Sequence, residues 1–169
     1  MLNGQDVLVL VWLAAHPGGW TFRGLGNDLG MDPAALHRSV GRLKRAKLLD
    51  EDRQLNRSNC EEFLVHGVRY VVPGELGASG RGVPAAWGAE PLRDMLASGA
   101  DPSPVWSDPS GRHRGPLLEP IADAAPHLAK ADSQLAQWLP LLDAIRVGRA
   151  RERKLASEEL AKRIWGSDP

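Results

Sequence analysis

The side chains best suited to chemistry in this sequence are cations that gather in a short stretch near its start. Residues 33–47 hold five arginines and lysines and no carboxylate, and residues 21–57 carry eight basic against five acidic side chains. Guanidinium and ammonium groups bind phosphate oxygens, and the arginine fork can also contact the edge of a guanine base. This stretch therefore favours contact with a polyanion, although the net charge of the 169-residue chain is zero.

The spacing of the apolar residues around these cations predicts a helix over residues 33–47. Leu36, Val40 and Leu43 recur at three- and four-residue intervals, which places them on one face, with Arg38 and Arg45 opposite. The helix start is marked by an aspartate that can cap free amides and by a proline that needs no donor at the first position.

A shorter helix is predicted just before it, capped by Thr21 and ended by Gly30. Two short helices joined by a turn of about four residues, the second with small residues at its start and a basic outer face, fit the major groove of double-stranded DNA. We therefore predict a DNA-binding surface formed by Arg23, Ala34, Ala35, His37, Arg38, Ser39, Arg42, Lys44, Arg45, Arg53 and Arg57.

Residues 21–49 resemble the winged helix-turn-helix of MarR-type transcriptional regulators. The resemblance lies in the Leu29-Gly30 turn, the Arg42-Leu43 end of the recognition helix and the Leu48-Leu49 pair that follows. It implies that residues 33–42 enter the major groove and that a hairpin wing follows near residues 48–54. The acidic residues at 50–52 disfavour phosphate contact by the wing tip, where only Arg53 and Arg57 offset them.

The expected fold is mainly α with a small β-wing. We predict a winged helix-turn-helix domain over 1–73, a Gly/Pro-rich irregular segment with a short helix over 74–131, and a C-terminal helical pair over 132–169. Within this frame the sequence predicts a helix from Asn56 to Gly67, a strand over 68–72, a surface loop over 74–84, a helix near 91–97, and helices over 133–147 and 150–164.

The C-terminal helices suggest a partner. MarR-type regulators dimerise through helices outside the DNA-reading unit, so the resemblance implies a homodimer. Residues 142–153 are also similar to tails of helix-turn-helix proteins that accompany toxin or nucleotidyltransferase partners. The alternative to a DNA-binding regulator is therefore an antitoxin-like interaction module that binds a protein partner through its C-terminal helices.

Other classes of function receive little support from the sequence. The one cysteine, Cys60, excludes an internal disulfide, and no histidines or cysteines lie at metal-ligand spacing. No nucleophile elbow or phosphate loop is present, so we expect neither a cofactor nor an enzyme. The longest apolar run, residues 7–15, is far shorter than the roughly 20 residues that cross a bilayer, which favours a cytoplasmic protein without a membrane partner.

Overall fold

The computed structural model describes residues 1–96 and 102–166, and its elements are mainly helical. The first of them, α1 (Gly4–Ala15), is apolar around most of its circumference. Asn3 and Asp6 form a capping box, in which each side chain accepts a hydrogen bond from the backbone amide of the other residue. Nine of the twelve residues of α1 are buried, so this helix lies at the centre of the molecule rather than on its surface.

The two helices predicted on either side of residue 30 are present as α2 (Phe22–Leu29) and α3 (Pro33–Arg45). Thr21 caps α2, and Gly30 ends it in the left-handed conformation with φ 64°. Asp32 caps α3 through the backbone amide of Ala35, with Pro33 at the first position. The start and stop signals in the sequence therefore set both helices and the short turn between them.

The segment after α3 is only partly wing-like. Leu49 and Leu55 form a single antiparallel bridge that closes a tight turn over 50–54. The pairing does not extend beyond this bridge into a hairpin of two strands. α4 (Arg57–Glu62) is capped by Asn56 as expected, and it continues through a π-helical turn (Phe63–Gly67) into α5 (Val68–Val71). The predicted strand over 68–72 is thus wrong, because Val68 is buried on a continuing helix instead of pairing in a sheet.

A small three-stranded sheet forms where the sequence predicts an irregular segment. β1 (Leu76–Pro84) pairs antiparallel with both β2 (Val105–Ser107) and β3 (His113–Leu118), and one parallel pair, Val105 with Leu117, closes the ring. Gly82 makes this possible, because a Cβ there would lie 2.0 Å from the carbonyl oxygen of Trp106. The predicted loop over 74–84 is therefore wrong over most of its length, and the sheet occupies the region expected to be irregular.

Four further α-helices and a short 3-10 helix (Ala86–Gly88) complete the part of the fold that the structure describes. α6 (Leu92–Met95) covers part of the helix predicted near 91–97, of which residue 97 lies outside the described residues. α7 (Ala125–Ala131) has no counterpart in the prediction. α8 (Leu135–Val147) and α9 (Ala150–Ile164) confirm the two predicted C-terminal helices, and α8 contains Pro140.

One cluster of buried side chains connects all parts of the chain. It contains residues of α1, α2 and α3, Trp106 and Leu118 of the sheet, and residues of α8 and α9. α8 is enclosed to about the same degree as α1, with ten of its thirteen residues buried. α2, α3 and the C-terminal helices therefore share a core. No helix among the described residues is long and apolar enough to cross a membrane.

Candidate nucleic-acid interface

The outer face of α3 presents the residues that the sequence places closest to a ligand. Ala34, His37, Arg38 and Arg45 are exposed, whereas Leu36, Val40 and Leu43 are buried beneath them. The helix is thus oriented as its periodicity predicts. The side chains of Arg38 and Arg45 make no hydrogen bond or ion pair with any residue in the described ranges, unlike those of Arg42 and Lys44.

Two predicted contact residues of α3 point inward, toward Asp6 of α1. The hydroxyl of Ser39 donates a 2.7 Å hydrogen bond to Asp6 Oδ1, and Ser39 is fully buried. Arg42 donates from Nε to Oδ2 at 2.8 Å and from Nη2 to Oδ1 at 2.9 Å. The structure therefore argues against the predicted DNA contact by Ser39, since no surface of its side chain reaches solvent. The main role of Arg42 in this structure is internal, and not that of a free phosphate ligand.

The charge of Asp6 is stabilised by the groups around it. Burial opposes ionisation, but hydrogen bonds from Arg42, Ser39 and the backbone amide of Asn3 together outweigh that effect and lower the pKa of the Asp6 carboxyl. The same contact raises the pKa of Arg42. The pair is thus ionised at neutral pH, and it fixes the rotation of α3 about its own axis relative to α1.

A second basic residue of α3 is engaged by the acidic cluster at 50–52. Lys44 Nζ lies 3.4 Å from Glu51 Oε2, and the Lys44 side chain is 32% exposed. Asp50 serves the turn itself, because its carboxylate accepts hydrogen bonds from the backbone amides of Asp52 and Gln54. The acidic residues therefore reduce the positive charge available at the C-terminal end of α3.

An aromatic cluster holds His37 and Arg53 beside the start of α2. The rings of Phe22 and His37 stack with centroids 3.7 Å apart and an interplanar angle of 11°. Trp20 meets Phe22 edge-on, and the Arg53 guanidinium lies 5.1 Å from the centroid of each of these two rings. Arg53 adopts φ 63°, so its backbone is turned in the left-handed region to reach this cluster. Its contact with the rings ties the 50–54 turn to α2.

The remaining predicted residues divide between two regions. Arg23 is exposed near the start of α2, and Ala35 is half-buried at the start of α3. Arg57 lies in α4 and donates from Nε to the carbonyl oxygen of Ile164 at 3.1 Å, which ties it to the end of α9. Arg57 is thus joined to the C-terminal helix, whereas α2 and α3 carry Arg23, Ala34, Ala35, His37, Arg38 and Arg45.

Sequence reasoning missed Asp6 as the anchor of α3. The signal that could have found it was a single carboxylate at the start of a helix that is otherwise almost entirely apolar. Such a residue is buried with the helix and needs a cationic or hydroxyl partner. Its capping function in α1 concealed this second role, because the two carboxylate oxygens serve both the amide of Asn3 and the side chains of α3.

Reactive groups are scarce in the described part of the chain. No three histidine, cysteine, aspartate or glutamate side chains in residues 1–96 and 102–166 are grouped to hold a metal ion. Cys60 is fully buried, and burial together with the neighbouring Glu61 raises the pKa of its thiol to about 12. This thiol is therefore protonated and unreactive at neutral pH.

Comparison of the chain with protein-family models, with curated proteins and with solved structures finds no match in any of the three.

Proposed function

We propose that this chain is a sequence-specific regulator of transcription that binds duplex DNA with α3 in the major groove. The observation that carries the proposal is the division of α3 into two faces. Its inner face is fixed by Leu36, Leu43 and the Asp6 contact, while Arg38 and Arg45 extend from its outer face into solvent. A basic helix whose orientation is set in advance loses little conformational freedom on binding.

The geometry changes the DNA-contact role expected of individual residues in α2 and α3. Arg38 is suited to read a guanine edge, because it lies near the exposed, small-residue start of α3, where Ala34 allows close approach of the backbone. Arg23 and Arg45 are suited to phosphates on either side. His37 would contact DNA only with the ring plane that its stack on Phe22 imposes. Arg42 and Ser39 support α3 from behind.

Selection from a pool of randomised duplexes tests this proposal, because the protein itself then chooses the operator sequence. The wild-type protein should enrich a common motif, and Arg38→Ala should relax one position of that motif at a cost of about 1 to 3 kcal/mol for the selected site. Arg45→Ala should weaken binding to selected and random duplexes alike.

Arg93→Ala is the matched control, since it removes an exposed arginine from α6, outside both α3 and α9. It should leave the motif and the affinity for it unchanged. Equal enrichment of all sequences by the wild-type protein, or an Arg38→Ala motif identical to that of the wild type, would contradict the base-reading role.

A protein partner is the second candidate, and the structure limits where it could bind. α8 is enclosed by the rest of the chain, so a partner of the C-terminal helices would contact the outer side of α9, where Arg151, Lys154 and Glu158 are exposed. A homodimer would use the same surface or another one outside α3. Light scattering at micromolar protein, with and without a selected duplex, separates a monomer from the dimer that a twofold operator requires.

A further inference from the structure

The sheet brings together basic residues that are far apart in the sequence. Arg81 of β1 and Arg114 of β3 are direct cross-strand partners, and the next pair along the ladder is Gly82 with His113. Arg112 precedes β3. All four of these basic side chains are exposed, and we name them the basic ribbon: Arg81, Arg112, His113 and Arg114.

Like charges placed directly opposite each other on antiparallel strands destabilise the pair. Residues that face each other across a ladder also point to the same side of the sheet, so the two guanidinium groups share one surface. Within residues 1–96 and 102–166, no carboxylate forms an ion pair with Arg81, Arg112 or Arg114. The fold therefore concentrates positive charge here without compensating for it.

One carboxylate beside the ribbon, that of Asp108, is turned to another partner. The backbone amide of Asp108 donates to the carbonyl oxygen of Arg81 at 3.1 Å, which places this aspartate beside the ribbon. Its carboxylate, however, accepts a 2.8 Å hydrogen bond from Lys130 and two from Ser110. These contacts, that of Lys130 foremost, lower the pKa of Asp108 to about 2. This carboxylate beside the ribbon is thus already neutralised by a lysine.

We infer that the basic ribbon is a second binding surface for duplex DNA, directed at the phosphate backbone. All three of its permanent cations are arginines, whose planar fork matches two phosphate oxygens at once. This surface is distinct from α3 and does not depend on the function proposed for that helix.

The test compares two variants with the same change in net charge. R81Q/R112Q/R114Q removes the ribbon arginines, and R93E/M95E lowers the net charge by the same amount at two exposed positions of α6, outside α3, α9 and the ribbon. Binding of a labelled duplex of random sequence is measured by fluorescence anisotropy over about 50 to 200 mM salt. The slope of log K against log salt should become shallower by roughly 2 to 3 in the ribbon variant, with a tenfold or greater loss of affinity at the lowest salt. The α6 variant should match the wild type.

Folding does not limit this experiment, because the substituted side chains are exposed. Relief of the Arg81 and Arg114 repulsion should leave the thermal midpoint of the ribbon variant equal to that of the wild type or higher. An equal loss of affinity in the ribbon and α6 variants would show that only the net charge matters, and it would overturn the inference. Unchanged duplex binding in the ribbon variant would also overturn the inference. So would a wild-type protein that binds polyglutamate through these arginines but binds no duplex, because the surface would then be suited to an acidic protein.

A third variant separates the ribbon from α3. R38A/R45A should change the selected motif, whereas the ribbon variant should bind every sequence more weakly and keep the motif. If only R38A/R45A lost duplex binding, the inference about the basic ribbon would be wrong and the role proposed for α3 would stand. Loss by the ribbon variant alone would support the ribbon and contradict the role proposed for α3.

Discussion

Two buried aspartates organise opposite parts of this molecule, and they do so under different electrostatic conditions. Asp6 joins α1 to α3 through Ser39 and Arg42, and the side chain of Arg42 remains 22% exposed. Asp143 of α8 joins Arg146 and the indole of Trp106 in a cluster whose ionic partners are each 2% exposed. The first pair is open to water on one side, and the second is closed.

The difference appears in the acidity of the two carboxyl groups. The pKa of Asp6 is lowered, because its hydrogen bonds outweigh its burial. Burial raises the pKa of Asp143 to about 6, and the opposing effects of Arg146 and Trp106 do not cancel it. Contact with an arginine therefore does not by itself decide how a buried carboxylate titrates. The access of the pair to solvent matters as much.

The largest effect is expected from breaking the closed pair. Arg146 also donates to the carbonyl oxygens of Val72 and Pro73, so it connects α8 to the start of the sheet. Asp143→Ala leaves this guanidinium buried without its counter-charge and should lower the free energy of unfolding by about 3 to 5 kcal/mol. Urea denaturation measures this loss. The double variant Asp143→Leu/Arg146→Met should recover much of it, because it removes both charges.

Stability should depend less on the open pair of Asp6 and Arg42 than on the closed pair. In Asp6→Ala, Arg42 can turn toward water from its partly exposed position, so we expect a loss of about 2 to 3 kcal/mol in urea denaturation. The α3 helix should also lose its fixed rotation, which predicts weaker duplex binding even though Asp6 itself is buried. A loss as large as that of Asp143→Ala would show that exposure of the arginine does not distinguish the two pairs.

A change of pH distinguishes the two aspartates, because the stability that each contributes should depend on pH with the opposite sign. The folded-state pKa of Asp143 lies above its ordinary value of 3.8, so the folded protein takes up a proton more readily than the unfolded chain between about pH 4 and 6. The stability difference between the wild type and Asp143→Asn should therefore shift in favour of the wild type as pH falls from 6 to 4. For Asp6, whose pKa is lowered, the stabilisation should persist through this range and be lost only below its ordinary value.

The smallest effect is expected at Ser39. Ser39→Ala removes one of the hydrogen bonds to Asp6 but keeps both bonds from Arg42, so the free energy of unfolding should fall by about 1 kcal/mol. Duplex affinity should stay at the wild-type value, since the serine is enclosed. A loss of sequence discrimination in Ser39→Ala with unchanged stability would restore the base contact that the structure argues against.

The two regions also differ in how far the sequence predicted them. The caps at Thr21 and Asp32, the left-handed Gly30 and the spacing of Leu36, Val40 and Leu43 are local signals, and they predicted α2 and α3 to within two residues. The C-terminal helices were found in the same way. Arg38 and Arg45 were correctly placed on the outer face for the same reason, since helical period alone decides it.

The sheet and the inward side chains could not be predicted from local signals. Glycines in 74–84 indicate a loop when read alone, but here they allow β1 to approach Trp106 and two partner strands at van der Waals distance. Ser39 and Arg42 looked like surface residues because their partner, Asp6, lies more than 30 residues away in the sequence. Long-range pairing of this kind depends on the tertiary fold, and neither composition nor periodicity records it.

The central position of α1 has a consequence for how the chain acquires its structure during synthesis. α1 precedes its packing partners in the chain, since one side of it packs against α3 and another against α8, whose last residue is Val147. Until residue 147 has been made, this apolar helix lacks its full contact with α8. A nascent chain stalled before residue 135 should accordingly be protease-sensitive throughout its first 50 residues, and extension past residue 147 should protect them.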